Sequence, residues 1–192
     1  MFKFFKHFLA SERGVAAIET ALILPFLVLI FFGMVDLTAL ITNNRKITYA
    51  SSVMADLVAQ NRTSMLKSLT TDYYQAAYLI VDPLPENETR INLYGYRNVA
   101  GTVTQIWKTS NNQGTNCTAT PSTAAMTPLM TAGNDIIVAM ACTKYVPFVV
   151  TFLGTKVLGK PSFNVEQTIM LRPRSTTALT CYETVVGGAT CS

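Results

Sequence analysis

The stretch from Ala21 to Val35 reads ALILPFLVLIFFGMV without one charged side chain. Apolar residues continue it upstream through Val15, Ala16, Ala17 and Ile18 and downstream through Leu37, Ala39, Leu40 and Ile41. A helix needs ~20 such residues to cross the hydrocarbon of a bilayer, so the sequence predicts a transmembrane helix over residues 15–41. A cleavable signal peptide is the competing reading, because Lys3, Lys6 and Arg13 precede the run. Its apolar region would span only about 7 to 15 residues before a small-x-small cleavage site. This run is longer, and the ITNNRK that follows contains no such site.

The chain has 192 residues, which leaves room beyond the membrane segment for one folded unit, residues 42–192. Its net charge is +4, but the Lys and Arg residues from Arg45 to Arg174 are scattered, with no clustered basic patch or aromatic platform. A nucleic-acid partner is therefore not expected. Lys3, Lys6 and Arg13 on one side outnumber Arg45 and Lys46 on the other, which favours a cytoplasmic N-terminus. Cys117, Cys142, Cys181 and Cys191 all lie past the membrane run. An even set confined to one side implies disulfides in an oxidising compartment, and without a C-x-x-C element it does not resemble a zinc site. The expected pairing is Cys117 with Cys142 and Cys181 with Cys191, one of three connectivities.

Glu19 stands just inside the start of the apolar run. An ionised carboxylate costs about 2.5–3.5 kcal/mol at the centre of a membrane helix and less near the interface. Taken alone, Glu19 could snorkel to the headgroups or pair with Arg13. Its surroundings, Ser11-Glu12-Arg13-Gly14-Val15-Ala16-Ala17-Ile18-Glu19, place a short basic leader, a glycine and four apolar residues ahead of the acid. This resembles the type IV prepilin processing site, in which a membrane peptidase cuts after the glycine. By that resemblance the cut falls between Gly14 and Val15, residues 1–14 are a cytoplasmic leader, and Glu19 pairs with the new amine of a neighbouring subunit.

More narrowly, ERGVAAIETALILPFLVLIFFGMVDL over Glu12 to about Leu37 resembles the opening of the TadE/TadG-like family of Tad pilus pseudopilins. Thr20 occupies a place where Tad-type pilins often carry an aromatic residue. Thr143-Lys144-Tyr145-Val146-Pro147 and the closing Met170-Leu171-Arg172 are similar to the family's end. The resemblance implies a minor pilin or pseudopilin, single-pass in a bacterial inner membrane with its C-terminal domain periplasmic. The implied partners are the prepilin peptidase, other pilins or pseudopilins, and the inner-membrane platform proteins of the Tad machine. An uncleaved bitopic scaffold of the same machinery is the alternative. Pro25 lies within the run, where membrane helices tolerate the lost hydrogen bond, and a kink is expected there.

Beyond the membrane, Ile47, Ala50, Met54, Leu57 and Asn61 repeat at three- and four-residue spacing, broadened by Val53 and Val58. The membrane helix is thus expected to continue as an amphipathic spine. A second helix is expected from near Ser68 to Val81, stopped by Pro83 and Pro85. Ile91, Leu93 and Gly95 alternate with Asn92, Tyr94 and Tyr96, and Val103 and Trp107 with Thr104 and Lys108, which predicts a β-hairpin around Asn98 to Gly101. Ser110 to Asn134 reads as a long variable loop tied by Cys117. Asp135 to Val146 is expected as a third strand, then a short amphipathic helix from Phe148 to about Gly159, and a fourth strand from Phe163 to Leu171. The predicted fold is α+β and pilin-like: a long helix packed on a small antiparallel sheet of about four strands.

The only histidine, His7, precedes the membrane run, so no Ser-His-Asp, Cys-His or His-metal site can be built in the exported part. No phosphate-binding loop or dinucleotide glycine pattern occurs. Neither an enzyme nor a cofactor is expected. Tyr73, Tyr74, Tyr78, Tyr94, Tyr96 and Trp107 form either a partner surface or the core and rim of the sheet.

Overall fold

The computed structural model describes residues 12–61, 64–111, 113–114, 120–131, 133–149, 162–174 and 180–182, with the backbone alone at 12–15, 64–70 and 180–182. The chain divides into two compact units, Met1–Leu40 with Val146–Pro161 and Ile41–Tyr145 with Ser162–Ser192. Helix α1, Glu12–Ala59, runs without interruption and contains Pro25. The fold is α+β, as the periodicities predict.

In the second unit α1 behaves as a soluble core helix. Ile47, Ala50, Met54, Ala55, Val58 and Ala59 are buried, one stripe of an amphipathic helix. Leu57 and Val53 fall at its margins, half-buried, while the small Ser51, Ala55 and Ala59 are buried. The helix ends where Asn61 turns its side chain back onto the Leu57 carbonyl at 3.5 Å. A short strand β1, Ser64–Leu66, and helix α2, Lys67–Val81, follow. Helix α2 adds Tyr74, Ala77 and Val81 to the same core.

The sheet is built from β2 (Thr89–Val99), β3 (Thr102–Ser110), β4 (Asp135–Tyr145) and β5 (Phe163–Leu171). All pairs are antiparallel, in the order β3-β2-β4-β5. β2 and β3 form the expected hairpin, closed by Ala100 (φ 50°) and Gly101 (φ 91°). Two consecutive left-handed residues match the twist of paired strands, and the Asn98 side-chain oxygen accepts from the Gly101 N–H at 2.8 Å. A further strand β6, Thr180–Tyr182, pairs in parallel with β1, an element the local pattern did not predict.

One face of the sheet packs on α1 and α2 through Ile91, Leu93, Trp107, Ile137, Ala139 and Ala141. The indole of Trp107 occupies the space above Gly95, its direct cross-strand partner: a Cβ at Gly95 would lie 2.2 Å from Trp107 Nε1. The register shifts between Gly95 and Tyr96. Such a bulge inserts one unpaired residue and exchanges the faces beyond it. Val103 therefore packs with the opposite cluster from Trp107, where simple alternation had placed the two together.

That opposite face, formed by Tyr94, Tyr96, Ile136, Val138 and Met140, is not bare. The segment predicted as loop folds over it through helix α3, Thr123–Met126, and a 3-10 turn, Thr127–Leu129, seating Met126 and Met130 against the sheet. Asn111 secures the start of this connection. Its side-chain oxygen accepts from Ile91 N at 3.0 Å, and its amide donates to Thr89 O at 2.9 Å and Tyr78 OH at 2.7 Å. The helix expected over residues 148–159 is described only at its first two residues; the rest lies outside the described residues.

Candidate membrane-helix assembly site

Helix α1 contains a window long and apolar enough to cross a membrane, and none of that window is buried within the chain. Leu22, Ile23, Leu24, Phe26, Leu27, Ile30 and Phe31 are each more than half exposed. In water such a surface would be costly at ~25 cal/mol per Å2; in hydrocarbon it costs nothing. The helix satisfies its own polar groups where it can. The Thr20 hydroxyl donates to the Ala16 carbonyl at 2.8 Å and Thr38 to Met34 at 2.9 Å. Thr20 is in this way compatible with an apolar surrounding.

Glu19 lies on this exposed surface. Among the described residues no group donates a hydrogen bond to its carboxylate or pairs with its charge. Gly14 and Val15 belong to the first turn of α1, and their side-chain surroundings lie outside the description. Pro25, which lacks an N–H for the Ala21 carbonyl, sits six residues beyond Glu19 with helix on both sides.

The charge-free run ends at Asp36, a residue that no local motif marks. Its two carboxylate oxygens accept from consecutive backbone N–H groups, Phe148 at 2.6 Å and Val149 at 2.8 Å. The Phe148 ring rests 5.5 Å from that of Phe32, which in turn meets Phe31 edge-on at 5.6 Å. No local signal in the sequence links positions 36 and 148. The only hint was an acid closing a membrane run, followed far downstream by an apolar segment opened by Pro147.

Cys142 is buried and disulfide-bonded, and no free cysteine occurs among the described residues. Cys117 and Cys191 lie outside the described residues and Cys181 is described by backbone alone, in β6. The partner of Cys142 is thus a residue whose side chain is not described, and the expected pairings Cys117–Cys142 and Cys181–Cys191 lie outside the described residues.

The aromatic candidates are core and rim. Tyr74, Tyr94, Tyr96 and Trp107 are buried, and Tyr73 and Tyr78 pack against the main cluster. Burial pushes the Tyr74 hydroxyl well above the usual tyrosine range, against the opposing hydrogen bond to Thr109. Lys108 sits over the Tyr94 ring at 5.4 Å. Arg97 holds Asp135 through two hydrogen bonds of 2.7 and 2.9 Å, an ion pair that locks β2 to β4.

Residues 14–56 match the family model described as TadE-like protein. The match begins at the glycine ahead of the expected cut, takes in Glu19, Pro25 and Asp36, and ends within the buried stripe of the spine. It does not extend to residues 143–147 or 170–172, whose similarity to the family's end remains outside it. No curated protein and no solved structure matches the chain.

Proposed function

We propose, from the match of residues 14–56 to the TadE-like family model, that this chain is a minor pilin or pseudopilin of a Tad-type pilus or related secretion machine. Its role is structural, and residues 15–41 cross a bacterial inner membrane once, with the sheet domain on the periplasmic side. The prepilin peptidase removes residues 1–14 by cutting between Gly14 and Val15. Glycine in the first turn lowers the cost of unwinding this peptide into an extended cleft, since it holds helix about 1 kcal/mol less well than alanine.

The observation that carries the reading is Glu19, exposed on an apolar helix and without a partner among the described residues. Cleavage creates an ammonium on Val15. Two unit charges 4 Å apart attract by about 4 kcal/mol at an effective dielectric of 20, against about 2.5–3.5 kcal/mol for carrying the carboxylate into the membrane. The magnitudes are comparable, so a neighbour's amine at contact distance offsets the cost of Glu19 and fixes the axial register of adjacent helices. Pro25 supplies the bend that lets such helices pack, platform proteins of the machine receive the subunit, and disulfides Cys117–Cys142 and Cys181–Cys191 brace the exported domain.

Sequencing the N-terminus of the native protein tests this directly. A chain that begins at Val15 is expected; one that keeps Met1 sinks the pilin reading and supports the uncleaved scaffold. In the Glu19→Ala variant processing should persist while incorporation into pili is lost at least tenfold, measured by immunoblot of sheared filaments. Unchanged incorporation would remove the charge-pairing mechanism.

A further inference from the structure

Along a helix rising ~1.5 Å per residue, Glu19 and Asp36 are about 26 Å apart, slightly less than the ~30 Å of bilayer hydrocarbon. With α1 spanning the membrane, a reading on which the following inference rests, the two acids mark its opposite boundaries. Asp36 then stands where water is scarce. Pro147 has no N–H, and the next two N–H groups, of Phe148 and Val149, both go to Asp36. At the edge of hydrocarbon each of these groups would be expensive to leave unpaired, by several kcal/mol apiece. In open water all of them would be solvated and the contact would gain little.

The apolar side chains agree. Phe148 is 49% and Val146 46% exposed, although the Phe148 ring lies against Phe32, itself within the charge-free run. The exposed surface of this corner is thus continuous with the lipid-facing surface of α1. We propose that Val146–Val149 is a second membrane contact: a backbone corner that dips into the lipid boundary at the end of the run farther from Gly14, held by Asp36 and Phe32. The occupant of its exposed face is the acyl–headgroup region of the bilayer. Asp36 is a positioning residue that satisfies the corner's backbone so that its side chains can enter lipid.

The test uses the full chain in phosphatidylcholine nanodiscs in a Trp107→Phe background, or with the Trp107 signal subtracted if that change unfolds the domain. Tryptophan is placed by Phe148→Trp or, as a control, by Phe26→Trp, and quenching by phosphatidylcholine brominated near the headgroup or near the chain ends is compared with quenching by aqueous iodide. The Phe148→Trp probe should lose at least half its emission to the shallow bromines and little to iodide. Adding Asp36→Leu should reduce that lipid quenching at least twofold and raise iodide quenching, leaving the Phe26→Trp probe unchanged. If Phe26→Trp is not quenched by the deep bromines, the membrane-spanning reading itself fails. If it is quenched while Phe148→Trp responds only to iodide, the corner is in water and the proposal is overturned with the spanning helix intact. Shielding of Phe148→Trp from both quenchers would mean that protein, such as a second copy of the chain, covers it, which also overturns the proposal. Unaltered quenching on adding Asp36→Leu would remove Asp36 from the positioning role.

Discussion

Leu24 and Leu93 are the same residue in opposite circumstances: the first is 54% exposed on α1 and the second fully buried in β2. The difference extends to whole regions. Between Leu22 and Phe31 helix α1 presents apolar side chains on every side and encloses none of them, whereas in the sheet domain both faces of β2 and β4 are covered. Apolar composition alone does not distinguish these regions. What does is arrangement: a helix apolar all round and uncovered requires an apolar solvent, while an amphipathic stripe or a sheet face needs only a partner packed against it. One uninterrupted helix carries both patterns, with the change falling between Ile41 and Ile47.

The contrast can be broken most severely by truncating the two leucines. Leu93→Ala should destabilise the sheet domain by about 3–4 kcal/mol, read by chemical denaturation in detergent. Leu24→Ala should leave that transition where it is, because its side chain touches no core. Equal effects from both would mean that residues 22–31 are packed within the domain and do not face lipid. Gly95→Ala comes next, at about 2–3 kcal/mol, because the new methyl meets the buried indole of Trp107. Combined with Trp107→Leu it should recover part of the loss, a coupling visible in a double-mutant cycle. Strict additivity of the two changes would show that the close approach is not what requires glycine.

The smallest expected effect concerns Glu166, whose carboxyl burial holds above the ordinary carboxylate range. A folded state that binds its proton more tightly than the unfolded chain loses stability as pH rises through the raised value. Glu166→Gln should therefore raise stability at neutral pH by about 0.5 kcal/mol or less, given its partial exposure, and remove a small decline between acid and neutral pH. A variant less stable than the parent at pH 7 would show that the ionised carboxylate is favourably paired.

Much of this was legible in local pattern. The apolar run and strand β4 are written in unbroken apolar length, and the spine from Ile47 to Val58, helix α2, the two strands of the hairpin and strand β5 in periodicity of 3.6 or 2. The features that escaped depend on distance in the chain. Met126 and Met130 are four residues apart inside a segment dominated by Ser, Thr and Pro, and their role follows only from β4. Its DIIVAMAC is apolar at both parities and so demands cover on two faces, a signal that was present but unused. The bulge after Gly95 changes the face of Val103 without changing the composition of either strand. The parallel pairing of β1 with β6 joins two three-residue segments too short to show a period. For the candidate site, Gly14, Val15, Glu19 and Pro25 could be singled out because the motif they form is local and lies within one helix. Asp36 was not, because what it binds lies more than a hundred residues away and is backbone, which carries no sequence signature.

At the end of β5 the backbone N–H of Arg174 donates to the carbonyl of Ala59 at 3.0 Å, so the last described turn of the spine and the end of the sheet's final strand are adjacent. The return of the chain to the spine is thus made by backbone atoms. Side-chain substitution at Ala59 or Arg174 leaves that bond available, so the closure tolerates change in sequence at both of its ends.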